Sequence, residues 1–165
     1  MINIKTHSII DAFLEYDNKF LMMHRARDRK AYPDFWAAVG GGIKLNEMFE
    51  PYSACMREIQ EETSILPDYI ADMSLRYIIT AKKKDNIRNH YVYFGKSLTM
   101  NFTDTNEGKL QWINKTDILN LKYTPYYKSL IQHYVTKAEN NNYLYLGTID
   151  DKNTLIFNIL NEYYD

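Results

Sequence analysis

Residues 40–65 read GGGIKLNEMFEPYSACMREIQEETSI, a glycine turn followed by an acidic segment with helical spacing. The run from Phe35 to Val39, just before the turn, is apolar and predicts a short buried strand. Pro51 suits the first position of a helix, and helical periodicity continues to Thr63. The turn therefore joins a strand to a helix. Because glycine lacks a Cβ, its backbone can approach an anion or a metal ion closely.

Three carboxylates of the predicted helix lie on one face. Glu58, Glu61 and Glu62 are spaced i, i+3 and i+4, so they share an arc of about 100°. Like charges this close repel one another unless a cation lies among them. Carboxylate oxygens without histidine or thiolate suit Mg²⁺ or Mn²⁺ rather than zinc. A solvated surface that merely promotes helix formation is the alternative, and spacing alone leaves both interpretations open.

This segment resembles the Nudix box, G-x5-E-x7-R-E-U-x-E-E-x-G-U, in which U is a bulky aliphatic residue. The residues that match are Gly41, Glu47 and 57–62 (REIQEE), and the resemblance spans Gly41 to Ile65. Nine residues instead of seven separate Glu47 from Arg57, and Ser64 replaces the last glycine. The insertion precedes the helix, where a loop accommodates extra residues better than a helix does.

The resemblance implies a metal site for Mg²⁺ or Mn²⁺. The implied ligands are Glu58, Glu61 and Glu62, with a backbone carbonyl of Gly41 or Gly40. The implied catalytic residues are Glu58, Glu61, Arg57 as the group that orients the glutamates, and Glu107 as a carboxylate from a distal loop. An ordinary acidic loop residue is the alternative interpretation of Glu107.

Further residues are expected around the metal site. Glu47 is implied as the structural acid that braces the turn, and Arg25 and glycines 40, 41 and 42 are expected to bind substrate. Phe35 or Tyr77 is a candidate for stacking on a base. His24 and His90 are interpreted as ordinary strand or loop histidines, because the predicted metal site already has hard oxygen donors.

The reaction implied by the resemblance is hydrolysis of a nucleoside diphosphate linked to another group, with water attacking phosphorus. Within the family, the strand order, the length and the tail after residues 107–112 resemble those of nucleoside triphosphate pyrophosphohydrolases that clear oxidised guanine nucleotides such as 8-oxo-dGTP. Hydrolysis of ADP-ribose or nucleotide sugars is one alternative, and a non-catalytic domain that senses nucleotides is another. Retention of the box arginine and its four glutamates favours an enzyme.

The flanking sequence predicts an α/β/α sandwich with a mixed sheet. Predicted strands are 7–16, 20–24, 75–81, 87–96 and 110–113, and predicted helices are 116–120, capped by Thr116, and 126–137. Turns are expected at 17–19 and 82–86, and a terminal hairpin pairs 143–149 with 154–160 around 150–153. One domain over residues 1–165 is expected, with a core of about 5–137 and a C-terminal extension over 138–165.

The charge, the cysteine content and the apolar runs of the sequence limit the partners and the compartment that we expect for this protein. The 165 residues carry a formal net charge of −1, which disfavours a long nucleic acid as partner. Cys55 is the single cysteine, and residues 1–5 lack the features of a signal peptide, so a reducing cytoplasm is expected. No apolar run approaches the about 20 residues that span a bilayer. The terminal hairpin either covers a core edge or pairs with a second copy, which leaves a homodimer open.

Overall fold

Eight strands and two α-helices lie within residues 5–28, 30, 32–83, 86–149 and 154–160, the part of the chain that the computed structural model describes. They are β1 (Lys5–Tyr16), β2 (Lys19–Arg25), β3 (Trp36–Ala37), α1 (Pro51–Thr63), β4 (Ile70–Lys83), β5 (Asn86–Ser97), β6 (Gly108–Asn114), α2 (Pro125–His133), β7 (Tyr145–Ile149) and β8 (Leu155–Ile159). Helix α1 has the bounds that were predicted from the periodicity of the acidic segment, Pro51 to Thr63.

The strands form one mixed sheet in the order β3-β2-β1-β5-β4-β7-β8, and β6 pairs with β2. The pairs β1–β5 and β4–β7 are parallel, and the remaining neighbours are antiparallel. Parallel neighbours need a long crossover connection. Here α1 lies in the chain between β1 and β5, and α2 lies between β4 and β7.

Alternate residues of β1 point to two separate cores. Ile10 and Ala12 pack with Cys55 and Ile59 of α1, whereas Phe13 packs in the second core, to which α2 contributes. Period-two alternation in a strand places successive side chains on opposite faces of a sheet. The helices therefore cover both faces, and the predicted α/β/α sandwich is confirmed.

Several element bounds differ from those predicted. The strand expected over 35–39 shrinks to Trp36–Ala37, because Val39 and Gly42 make only isolated bridges to β1. The helix expected at 116–120 is a 3₁₀ turn over Ile118–Asn120 that follows Asp117, and Thr116 does not cap it. Helix α2 ends at His133 and continues as one π-helical turn to Ala138.

The first hairpin turn consists of Asp17 and Asn18, which both have positive φ, while Lys19 already belongs to β2. Of the two other predicted turns, residues 84–85 and 150–153 lie outside the described residues.

The C-terminal extension is held against the sheet by a buried arginine. Arg76 of β4 donates hydrogen bonds to the carbonyl oxygens of Ala138 at 2.7 Å, Asn141 at 2.7 Å and Tyr143 at 3.2 Å. Strand β7 then pairs with β4, and β8 pairs with β7, which forms the predicted terminal hairpin. Within the described ranges, no helix has the length and apolar character needed to cross a membrane.

Candidate active site

Two of the three box glutamates of α1 are buried beside the glycine turn. Glu58 and Glu62 are each 8% exposed, whereas 52% of the Glu61 side chain is exposed. Oε2 of Glu62 accepts a hydrogen bond of 2.9 Å from the Gly40 backbone N–H. The i, i+4 spacing places Glu58 and Glu62 on the same side of α1 as the core residue Ile59. The acidic and buried faces of this helix therefore overlap.

The glycine turn makes room for these carboxylates. Gly40 has φ +149°, and a Cβ there would collide with the carbonyl oxygen of Ile10. A Cβ on Gly41 would lie 2.7 Å from Oε2 of Glu58. The Ile10 backbone N–H donates to the carbonyl oxygen of Gly41 at 2.8 Å, which fixes the turn against β1. Glycine is thus required at two successive positions for different reasons, backbone conformation at the first and the space taken by Glu58 at the second.

Arg57 connects the turn, the loop and the helix through one guanidinium group. It donates to both carboxylate oxygens of Glu47, at 2.6 and 2.9 Å, which is a bidentate pair. Its Nη1 donates to Glu58 at 2.7 Å and Glu61 at 2.8 Å, and Nη2 donates to the carbonyl oxygen of Gly42 at 3.2 Å. Three of the box carboxylates are oriented by this single side chain.

Burial shapes the electrostatics of Glu62. Its pKa rises from an ordinary 4.5 to about 7, chiefly because burial disfavours the charged form, and the negative charges of Glu58 and Glu107 add to the rise. The Gly40 N–H and the positive charge of Arg25 oppose the rise. The influence of Glu107 and Arg25 on this carboxyl group shows that both side chains lie near it.

Arg57 acts on the other box carboxylates. Burial raises the pKa of Glu58, although the hydrogen bond and charge of Arg57 oppose the rise. The pKa of Glu61 is lowered, because the contact with Arg57 outweighs desolvation. The hydrogen bonds from Arg57 lower the pKa of Glu47 to about 2, with help from the Lys44 backbone N–H. The exposed Glu61 and the bracing Glu47 are therefore readily ionised. The buried Glu58 and Glu62 are harder to ionise.

The donor set at the buried end of α1 fits a hard divalent cation. Glu58 and Glu62 are neighbouring carboxylates on one side of α1, and burial raises the pKa of both. Among the described residues, no three His, Cys, Asp or Glu side chains are grouped closely enough to hold a metal ion. Glu58 and Glu61 instead accept hydrogen bonds from Arg57. The carbonyl oxygen of Gly41 already accepts one hydrogen bond, which leaves it one lone pair. The metal ligand set stays a prediction.

A cavity of about 830 Å³ opens beside these carboxylates. It brings together most of the predicted site residues, namely Glu58, Glu62, Glu107, Arg25, Gly40, Gly41 and Gly42. Arg57, Glu47 and Glu61 do not line it. Of the two candidates for stacking, Phe35 lines the cavity, but Tyr77 is wrong because its side chain is fully buried in the core.

The same cavity wall holds a polar cluster that the sequence did not predict. Asp11, His90, Tyr126 and Tyr127 line the cavity and are hydrogen-bonded to one another. These side chains come from β1, β5 and α2, so no sequence spacing connects them. The one available signal was Asp11 itself, a carboxylate between Ile10 and Ala12 in an otherwise apolar strand segment.

Comparisons with known proteins agree with this geometry. A family model described as NUDIX domain matches residues 5–134. The chain is similar to the uncharacterised Nudix hydrolase YvcI of Bacillus subtilis, with 31% identity over 123 residues that cover 71% of this chain and 72% of YvcI. It is 29% identical over 98 residues to the nucleoside triphosphatase NudI of Escherichia coli, covering 55% of this chain and 68% of NudI.

Among solved structures, the chain is similar to the mutator MutT protein from Bacillus halodurans. The TM-score is 0.71 at 18% sequence identity, and the match covers 94% of this chain and 98% of that protein. At this identity the similarity shows a shared fold.

Proposed function

Because the chain belongs to the Nudix hydrolase family, we propose that it hydrolyses nucleoside triphosphates with the help of Mg²⁺ or Mn²⁺, releasing pyrophosphate. The observation that carries the proposal is the pair of buried carboxylates, Glu58 and Glu62, in the wall of a cavity of about 830 Å³. Burying two neighbouring carboxylates is unfavourable. A cation that binds between them and a phosphate chain would offset this unfavourable free energy.

Glu58 and Glu62, with Glu61 and the Gly41 carbonyl, would hold the metal. When bound, a divalent cation neutralises charge on phosphoryl oxygens and lowers the pKa of water. Arg57 keeps Glu58 and Glu61 in position through its hydrogen bonds of 2.7 and 2.8 Å. Glu107 is proposed as the base that accepts a proton from the attacking water, since it shares the cavity and its charge reaches Glu62.

Arg25 and the glycine turn are proposed to bind the phosphate chain. Arg25 lines the cavity near Glu62, and it supplies positive charge toward the oxygens of a phosphate. The backbone of residues 40–42 lines the same end of the cavity. In this arrangement the phosphate chain lies between the box glutamates and Arg25.

For the substrate, the relative NudI is described as a nucleoside triphosphatase, which supports this class. Within it we propose a preference for oxidised nucleotides of the 8-oxo-dGTP type, on the strength of the resemblance in strand order, length and tail to family members that clear such nucleotides. The competing assignments are hydrolysis of ADP-ribose or nucleotide sugars and nucleotide sensing without catalysis.

A panel of 8-oxo-dGTP, the common nucleoside triphosphates, ADP-ribose and a nucleotide sugar, compared by kcat/KM with Mg²⁺, tests this proposal. We expect the highest value for 8-oxo-dGTP. Glu58→Gln should lower turnover by orders of magnitude, whereas Glu50→Gln, an exposed acid just before α1, should not change it. Near-normal turnover in Glu58→Gln would refute the metal assignment. Tight nucleotide binding without any hydrolysis would favour sensing.

The proposal also covers the cellular compartment of the enzyme, the form of its substrate and its oligomeric state. We propose a cytoplasmic protein, on the basis of a single cysteine, Cys55, which is buried and whose pKa burial raises to about 12. The substrate is a free nucleotide rather than a long nucleic acid, since the net charge is −1. Whether β8 pairs with a second copy is measured by sedimentation of the purified chain.

A further inference from the structure

A buried carboxylate lies in the cavity wall away from the box glutamates. Asp11 of β1 is 4% exposed and accepts three hydrogen bonds, from Nδ1 of His90 at 2.7 Å, the Tyr126 hydroxyl at 3.2 Å and the Tyr127 hydroxyl. We call these four residues the Asp11 cluster. Burial opposes the charge on Asp11, but His90 and the two hydroxyls outweigh burial, and its pKa is lowered. The carboxylate is therefore ionised and acts as an acceptor only.

The ionised Asp11 determines where the protons of its partners lie. Nδ1 of His90 must carry a proton in order to donate to the carboxylate, so Nε2 of the neutral ring is an acceptor. Both tyrosine hydroxyls direct their protons at Asp11 as well. Nε2 of the neutral His90 ring and the oxygen of Tyr126 are then left as acceptors, on two residues that line the cavity.

Packing holds these acceptors in place. The ring of His90 lies against the ring of Tyr126 with a centroid distance of 4.7 Å, and Tyr126 meets Tyr127 edge to face at 5.1 Å. Nε2 of His90 has no hydrogen-bond partner among the described residues. A side chain that is fixed through one ring nitrogen and unpaired at the other is preorganised to bind a ligand.

We propose that the Asp11 cluster recognises the nucleobase of the substrate and selects bases that carry an exocyclic amino group, with Nε2 of His90 accepting the amino hydrogen. 8-Oxoguanine carries such a group at C2, and cytosine carries one at C4, where uracil presents a carbonyl oxygen. A carbonyl oxygen facing Nε2 would bring two hydrogen-bond acceptors together. This repulsion discriminates against the wrong base more strongly than one favourable hydrogen bond selects the right one.

The position of the cluster agrees with a base rather than a phosphate. Ile9 of β1 pairs with His90 on one side and bridges to Gly42 of the glycine turn on the other. His90 is therefore two strand spacings, about 10 Å, from the turn. A ribose and its phosphate can span this distance. The acceptors beside Asp11 offer no hydrogen to a phosphate oxygen, and the cationic residues that line the cavity are Arg25, Lys82 and Arg88.

The inference rests on the proposed function, since it assigns the base end of the same cavity. The test is therefore a binding measurement that needs neither metal nor turnover. Isothermal titration calorimetry of the full chain with CMP and with UMP, in EDTA, is this measurement. We expect the wild-type chain to bind CMP about tenfold more tightly than UMP.

Variants of His90 identify the nitrogen that is responsible. His90→Asn retains an N–H donor near the position of Nδ1 but removes Nε2, so the CMP-to-UMP preference should fall to near one. His90→Gln places an amide oxygen near the position of Nε2 and should retain part of the preference. His7→Asn, at an exposed histidine of β1, is the matched control and should keep the tenfold ratio.

A wild-type ratio near one, a ratio unchanged in His90→Asn, or binding of neither nucleotide would overturn the inference. If His90→Asn is unfolded by circular dichroism, the wild-type ratio and the Gln variant decide the question. Discrimination between CMP and UMP without hydrolysis of any triphosphate would refute the proposed function alone. Hydrolysis without discrimination would refute this inference alone.

Discussion

Replacing Glu62 with glutamine should stabilise the metal-free protein while abolishing its use of a metal ion. Glu62 is 8% exposed, and its pKa of about 7 reflects burial beside Glu58 and Glu107. Glutamine has nearly the same shape, and its amide oxygen can still accept the hydrogen bond from the Gly40 N–H. The substitution therefore removes a buried charge and little else.

The size of the gain follows from the pKa. A rise from 4.5 to about 7, at about 1.36 kcal/mol per pH unit, corresponds to about 3 kcal/mol by which burial disfavours the ionised form. Because the folded state binds the proton more tightly, this penalty is absent below about pH 4.5. It grows as the pH rises and is complete above about pH 7. Glu62→Gln should thus gain stability at pH 8 and little at pH 4.5.

Urea unfolding in EDTA at both pH values measures the difference between Glu62→Gln and the wild type. Glu61→Gln is the matched control, because Glu61 lies on the same helix with a half-exposed side chain and a lowered pKa. It should change stability by less than about 0.5 kcal/mol at pH 8. Added Mg²⁺ should stabilise the wild type, by about 2.7 kcal/mol at 100 times its Kd, but not Glu62→Gln.

A Glu62→Gln variant that is no more stable than the wild type at pH 8 would refute the reasoning. The same conclusion would follow if its advantage were equal at pH 4.5 and pH 8, since a difference in packing, unlike a buried charge, does not titrate.

Three further substitutions test separate features. Gly41→Ala should keep the fold but lower Mg²⁺ affinity, because its Cβ would lie 2.7 Å from Oε2 of Glu58. A Cβ on Gly42 meets nothing within 4 Å, so Gly42→Ala should leave Mg²⁺ affinity unchanged. Equal Mg²⁺ titration data for the two variants would contradict this. Ser64→Gly should stabilise the protein by about 0.5–1 kcal/mol in thermal unfolding, since Ser64 ends α1 at φ 62°; a loss would show that the serine side chain matters. Tyr123→Phe should be neutral or stabilising by up to about 1 kcal/mol in urea, because the buried hydroxyl has no partner in the described part of the chain, and a clear loss would indicate a missed contact.

Local sequence chemistry accounts for much of the fold. Asp17 and Asn18 tolerate the positive φ of a tight hairpin turn, and Pro51 marks the first residue of α1. The prediction was poorer where tertiary contacts decide the outcome. Strand β4 begins at Ile70, earlier than predicted, and continues past Asp72, whose φ is 53° and which coincides with an irregularity in the pairing with β5. Irregular strands of this kind hide the alternation on which a sequence-based prediction depends.

At the site, sequence spacing identified the box glutamates but not how deeply two of them are buried. Helical geometry alone places Glu58, Glu61 and Glu62 on one arc, and only the packing of the glycine turn separates the buried pair from the exposed member. The Asp11 cluster was still harder to predict from the sequence. Asp11 and His90 are 79 residues apart, and their contact depends on the parallel pairing of β1 with β5.

Arg57 has a consequence for how such a motif is found in other genomes. Because Glu47 and Gly42 are both fastened to its guanidinium, the loop between Glu47 and α1 can grow or shrink without moving either end. The two extra residues of this chain therefore need not disturb the contacts between Arg57, Glu47 and Gly42. A search that demands seven residues at this point would discard this chain. A search that asks for an arginine hydrogen-bonded to the box glutamates would retain it.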